Sequence, residues 1–221
     1  MKNRSTPSQE TRTRTRQPQR RRGIIRFENL LDATEGLLTA HPDQDISLSL
    51  VAEAADVPLP SIYHFFPNKD AILVALAQRY HLSLSQTASD VLEPPPAQWQ
   101  DIIERRQRSG VAYLNAHPAA LRLFMGAGVS ASVRTLDLQG NASLSALRAA
   151  EFRQWFNCTA LPDLEHRLAI SIGIMDGIWA ISWSQHHHIT EGYLEESIRA
   201  STSYLRCFLP EILPPAAAAQ S

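Results

Sequence analysis

A chain of 221 residues with 44% apolar side chains can bury the core of one small and one larger domain. Two cysteines, Cys158 and Cys207, exclude a disulfide framework and fit a reducing cytosol, and the longest apolar run, 168–183, is short for a membrane span and interrupted by Asp176. The formal net charge of −1 conceals a division: residues 1–26 carry nine basic residues against Glu10, and the rest of the chain carries 12 basic against 21 acidic.

The N-terminus is rich in Arg, Thr and Gln with almost no apolar residues, which predicts a disordered basic arm over 1–21. No apolar stretch follows its charges, so it does not read as a signal peptide. Arg20, Arg21 and Arg22, with Arg26 a turn further on, stand where they can reach a phosphate or the minor groove. A solvated tail that only aids solubility is the plainer alternative. A first helix follows over 22–38.

The stretch 47–69, SLSLVAEAADVPLPSIYHFFPNK, reads as two short helices joined by a tight turn, the layout of a helix-turn-helix. Ser47 is suited to cap the first helix, and Leu48, Val51, Ala52 and Ala55 form one apolar stripe. Asp56 falls at the turn, where a left-handed backbone is expected, and Val57 plugs the core beneath it. The second helix starts near Leu59 or Pro60 and cannot pass Phe66, because Pro67 pushes its predecessor out of the helical region. About seven residues, roughly 10 Å, suit the major groove. Ile62, Phe65 and Phe66 then face the core, leaving Leu59, Pro60, Ser61, Tyr63 and His64 for DNA. Ser47 and Ser49, at the start of the first helix, are further candidate contacts. Asn68 caps a third helix, and Lys69 with the backbone N–H groups there offers a phosphate site. Base reading falls to Leu59, Pro60 and Ser61; with no Arg or Asn on this helix, DNA shape carries part of the specificity. One feature is unusual for a DNA-binding segment: residues 27–90 hold Lys69 and Arg79 against nine carboxylates.

These residues resemble the TetR/AcrR family of bacterial one-component transcriptional regulators. Val57, Ser61, Ile62, Tyr63, Phe66 and Lys69 carry the likeness, with the Val51-Ala52-x-x-Ala55 helix and the upstream segment RGIIRFENLLDATEGLL. It covers residues 22–84 and extends weakly over an all-helical C-terminal half. Asp56 replaces the family's usual turn glycine, and Pro60 stands where glycine is common. The resemblance implies an all-α protein: an N-terminal three-helix DNA-binding domain (22–84), then a larger helical ligand-binding and dimerisation domain (85–213) and a flexible tail (214–221). It also implies backbone contacts to DNA from Tyr63 and Lys69, a homodimer on operator double-stranded DNA, and a small-molecule effector.

Beyond the third helix (68–91) the chain breaks at Glu93-Pro94-Pro95-Pro96. Helices are predicted over 97–116, 118–126, 144–157, 162–187 and 191–209, with 126–143 a loop or short irregular helices. On the 162–187 helix one apolar face comprises Leu168, Ile172, Met175, Trp179 and Ser182, and another Ile170, Ile174, Ile178 and Ile181. A helix apolar on two faces needs two partners, one inside the subunit and one outside; both faces are candidate dimer surface. Candidate pocket residues, by resemblance rather than by any motif, are Trp99, Tyr113, Phe124, Met125, Trp155, Met175 and Trp179, residue types that are more often plain core than pocket.

Catalysis finds no support. GxGxxG, P-loop and GxSxG motifs are absent. Consecutive His186, His187 and His188 diverge by about 100° on a helix and suit a solvated helix end better than one metal ion. Nothing calls for a metal or cofactor, and no membrane partner is expected. Two readings remain open: a repressor released by an effector, or a helical sensing module with weak or no specific DNA binding.

Overall fold

The computed structural model describes residues 21–42, 44–126, 128–161 and 163–216, and all of its regular structure is helical. The arm expected over 1–21 lies outside the described residues except for Arg21; Arg20 lies outside with it, as do residues 217–221 of the expected tail.

The N-terminal unit packs α1 (Arg21–Ala40) across α2 (Leu48–Ala54) and α3 (Leu59–Ile62), with α4 (Lys69–Ser89) leaving it. Helix α1 buries Phe27, Leu30, Leu31, Thr34 and Leu38, a stripe repeating every three to four residues. Phe27 meets Phe66 at 5.0 Å and Phe65 at 6.1 Å between ring centroids, so one aromatic trio anchors the end of the helix-turn-helix. The α1–α4 packing is closed by Arg79, which donates to Asp32 at 2.6 Å and Glu35 at 2.5 Å and stands 3.5 Å from Glu28. Three of the nine carboxylates that make this segment acidic are thereby committed to holding it together.

After the break at 93–96, α5 (Trp99–Ala116), α6 (Pro118–Met125), α7 (Ala131–Trp155), α8 (Leu164–His186) and α9 (Glu191–Arg206) complete the fold. Apolar packing runs without a gap from Phe27 and Leu31 through Leu76 and Tyr80 to Phe124, Trp179 and Leu194, and the boundary expected at residue 84 falls inside α4. A second cluster around Trp99, Phe152, Leu168 and Leu205 closes the far end.

Helix α7 corrects the expected loop at 126–143. Ser130 caps it, accepting from the Val133 N–H, and one helix runs from there to Trp155. Its inward positions Val133, Asp137, Ser145, Ala149 and Phe152 keep a helical spacing that polar residues and Gly140 disguise in an apolar count. Gly140 is required by contact: a Cβ there would lie 2.2 Å from Cε1 of His81 on α4. The expected flexible tail also needs correction over 214–216. The Asn157 N–H donates to the Pro214 carbonyl at 2.7 Å and the Ala216 N–H to the Trp155 carbonyl at 2.9 Å, tying this stretch to the end of α7.

Candidate nucleic-acid interface and interior cavity

Local chemistry builds the helix-turn-helix. Ser47 accepts from the Leu50 N–H and caps α2, and its hydroxyl lies 2.8 Å from that of Ser49. Leu48, Val51 and Ala52 are buried as the stripe requires. Asp56 takes φ 52°, the left-handed turn expected of it, and the Val57 N–H donates back to the Ala52 carbonyl.

Helix α3 is shorter than expected, ending at Ile62, but Phe65 and Phe66 both donate their N–H to the Ile62 carbonyl, so the chain turns onward to Phe66. The faces separate cleanly. Ile62 and Phe66 are fully buried and Phe65 nearly so, whereas Leu59, Pro60, Tyr63 and His64 are exposed, Tyr63 at 54%, and Ser61 is half-buried. Four residues of α3 and its turn therefore stand side by side with no role in the core. Ser47 and Ser49 are exposed beside them.

Asn68 caps α4, accepting from the Ala71 N–H at 2.9 Å. Lys69 at its start reaches both oxygens of Asp45, at 2.6 and 2.8 Å. The lysine holds the Asp45 carboxyl below the ordinary carboxylate range. This contact was not legible beforehand: the two residues are 24 apart and become neighbours only when α1 and α4 are packed. Arg21, Arg22 and Arg26 lie on the exposed side of the first turns of α1.

The C-terminal helices enclose a cavity of about 110 Å³ among α4, α5, α6, α7 and α8. Phe124, Met125, Met175 and Trp179 line it as expected. Trp99, Trp155 and Tyr113 do not: Trp99 is buried in the second cluster with its indole N–H on the Pro210 carbonyl, Trp155 packs at the edge of that cluster, and Tyr113 stacks on His117 at 4.2 Å. Missed in the sequence were the cavity's polar residues, His81, Arg106, Gln107, Asp137, Asn141, Arg148 and Asp176, which a search for apolar and aromatic side chains passes over. Gln107 is held by Ser197 and Ser201, and Ser197 also accepts from the Trp179 indole.

The two faces of α8 divide as their packing demands. Leu168 and Trp179 are buried, and Ile172 and Met175 line the cavity, so this face lies within the subunit and is not free for a partner. On the other side Ile170 is 36% and Ile181 48% exposed, with Ile174 and Ile178 half-buried between them. His186, His187 and His188 are exposed at the end of α8, and no metal-holding cluster of His, Cys, Asp and Glu occurs among the described residues. No helix among them is long and apolar enough to cross a membrane.

Residues 30–76 match the family described as bacterial regulatory proteins, tetR family. The HTH-type transcriptional regulator EthR of Mycobacterium tuberculosis is 36% identical over 75 residues, 34% of this chain and 35% of that protein. The HTH-type transcriptional repressor NemR of Escherichia coli is 30% identical over 76 residues, 34% of this chain and 38% of that protein. The chain thus matches little more than a third of the length of these relatives. Over longer spans the likeness is one of fold. A TetR-family transcriptional regulator from Streptomyces coelicolor superposes with a TM-score of 0.65 at 21% identity, covering 83% of this chain and 99% of that one. Reduced NemR of E. coli gives 0.57 at 18% identity over 87% and 99%. The helix-turn-helix segment, residues 30–76, is thus similar to the tetR family of bacterial regulatory proteins, and over the whole chain the likeness to TetR-family structures is one of fold.

Proposed function

We propose that the protein is a sequence-specific DNA-binding transcriptional regulator, acting as a homodimeric repressor that a small molecule releases from its operator. The observation that carries this reading is the separation on α3: Ile62, Phe65 and Phe66 anchor it while Leu59, Pro60, Tyr63 and His64 project outward. In this reading Tyr63 and Lys69 contact the DNA backbone, Ser47 and Ser49 meet a neighbouring phosphate, and Leu59, Pro60 and Ser61 read base edges. Arg20, Arg21, Arg22 and Arg26 add counterion release, which offsets the acidic balance of the domain.

The outer face of α8, from Ile170 to Ile181, supports a two-fold interface, with Gly173 and Gly177 on the same side allowing close approach. Helix α6 offers the route from ligand to DNA. Its Phe124 and Met125 line the cavity, and its Arg122 donates to the carbonyls of His41 at 2.7 Å and Gln44 at 2.5 Å at the end of α1. A ligand that displaces α6 therefore moves the connection beneath the helix-turn-helix and changes the spacing of the two recognition helices.

The test is fluorescence anisotropy of the full chain on DNA from just upstream of its own gene, with an unrelated duplex as control, from low to physiological salt. Selective binding at physiological salt is the expected result. Equal, steeply salt-dependent binding to both duplexes would reduce the interface to a non-specific basic grip and favour a sensing module without an operator.

A further inference from the structure

The cavity is apolar over most of its wall, but its charged groups are unequally partnered. At one end Arg106 places its guanidinium on both oxygens of Glu151, at 3.1 and 3.2 Å from Nε, and donates to the carbonyls of Thr87 and Asp90. Arg148 donates to the same Glu151. Both guanidiniums thus share the one carboxylate of Glu151, which fixes them at this end and leaves it with a net positive charge. At the other end Asp137 is bound by Arg134 at 2.6 Å. Asp176, nine-tenths buried on α8, has only the amide of Asn141 at 2.5 Å and no ion pair among the described residues. Beside them the imidazole of His81, also nine-tenths buried, has no hydrogen-bond partner on either ring nitrogen; its Nε2 stands 3.5 Å from Asp137 Oδ1 without bonding geometry. Gly140 lets that ring lie flat against α7, where any Cβ would displace it. A buried carboxyl without a cation and a buried imidazole without a partner are costly in an apolar wall.

We propose that the cavity takes a small organic cation, a protonated amine on an apolar body, whose ammonium group sits among Asp176, Asp137 and His81. The three acceptors supply the bonds an ammonium needs, and Phe124, Met175 and Trp179 cover the apolar body. A neutral analogue leaves Asp176 uncompensated, and an anion meets carboxylates. Burial, then the neighbouring Asp137 charge, pushes the Asp176 carboxyl up to about 7, so a bound cation draws a proton off it. Of the other charged or titratable groups facing the cavity, Arg106 from α5 and Arg148 from α7 are held by Glu151 and Asp137 from α7 by Arg134, His81 from α4 is the unpartnered ring, and α6 brings none. Amine binding therefore strengthens from pH 6 to pH 8.

This inference rests on the reading of the cavity as the effector site, and calorimetry separates the two. Benzylamine, benzyl alcohol and benzoate share one ring and differ in charge. With the full chain, benzylamine is expected to bind at least about tenfold more tightly than the alcohol, equivalent to about 1.4 kcal/mol. In Asp176→Asn, which keeps an acceptor for Asn141, the preference should fall to within about twofold while the alcohol still binds. Equal binding of all three, or tighter binding of benzoate, would overturn the cation site and leave the cavity a ligand site. No binding by any of them overturns both. Tight, charge-selective binding of benzylamine that leaves the operator complex intact would uphold the cation site and overturn release by a cavity ligand.

Discussion

Two carboxylates govern single-residue behaviour here, and their environments drive them in opposite directions. Asp45 is exposed and tied to Lys69, so in the proposed complex it competes with a DNA phosphate for the same ammonium. Asp45→Asn is expected to tighten DNA binding by about threefold at low salt, an effect read by anisotropy that shrinks as salt screens the charges. Unchanged affinity would mean that Lys69 does not reach DNA. Asp176 is the reverse case. Its pKa rises from an ordinary 3.8 to about 7 on folding, so its contribution to stability is fully present below about pH 4 and lost as the pH rises through 7. Asp176→Asn should therefore melt at a higher temperature than the natural protein at pH 8 and lose that advantage toward pH 4. Parallel melting curves across this range would show the carboxyl to be solvated.

At the scale of elements, the glycines distinguish propensity from packing. Gly36 is exposed in α1 with open space where its Cβ would stand, whereas Gly140 in α7 lies against the His81 ring. Gly36→Ala should raise stability by about 0.5–1 kcal/mol through helix propensity and a restricted unfolded chain. Gly140→Ala gains the same propensity yet should lower stability by about 1–3 kcal/mol, because the ring must leave its place. Urea midpoints of the two variants decide this, and a stabilised Gly140→Ala would mean that α4 and α7 are not in close contact there. The same opposition explains why α2 and α3 were legible in sequence and the first half of α7 was not. Ser47, Asp56, Pro60 and Pro67 act through their own backbones or those of near neighbours, so local chemistry suffices to mark start, turn and stop. Gly140 and Asp137 lower helix propensity locally, and the helix forms because α4 and α8 pack on it.

For the whole molecule, the apolar outer face of α8 carries the prediction. Ile170→Glu with Ile181→Glu leaves the buried core untouched, since both side chains are exposed, but places four carboxylates in the proposed two-fold interface. The double variant is expected to sediment as a monomer with an unchanged helical spectrum and markedly weaker operator binding, because two half-sites are no longer held together. A dimer of normal affinity would move the interface off this face. In the proposed complex paired half-sites matter more, because Leu59, Pro60 and Ser61 can bring base edges only apolar and hydroxyl contacts.

The sequence by itself determined the helical class, the helix-turn-helix, the division of α3 into anchoring and outward residues, and the apolar character of α8 on two sides. Each of these follows from periodicity or from capping, proline and turn chemistry, which act within a few residues of the chain. Only the tertiary structure decided that Lys69 meets Asp45, that Arg79 gathers three carboxylates, and that Trp99, Tyr113 and Trp155 lie outside the cavity while His81, Asp137 and Asp176 meet at its wall. Those contacts join residues that are mostly 24 or more apart, and a polar side chain carries no mark of which distant partner will neutralise it until the helices are packed.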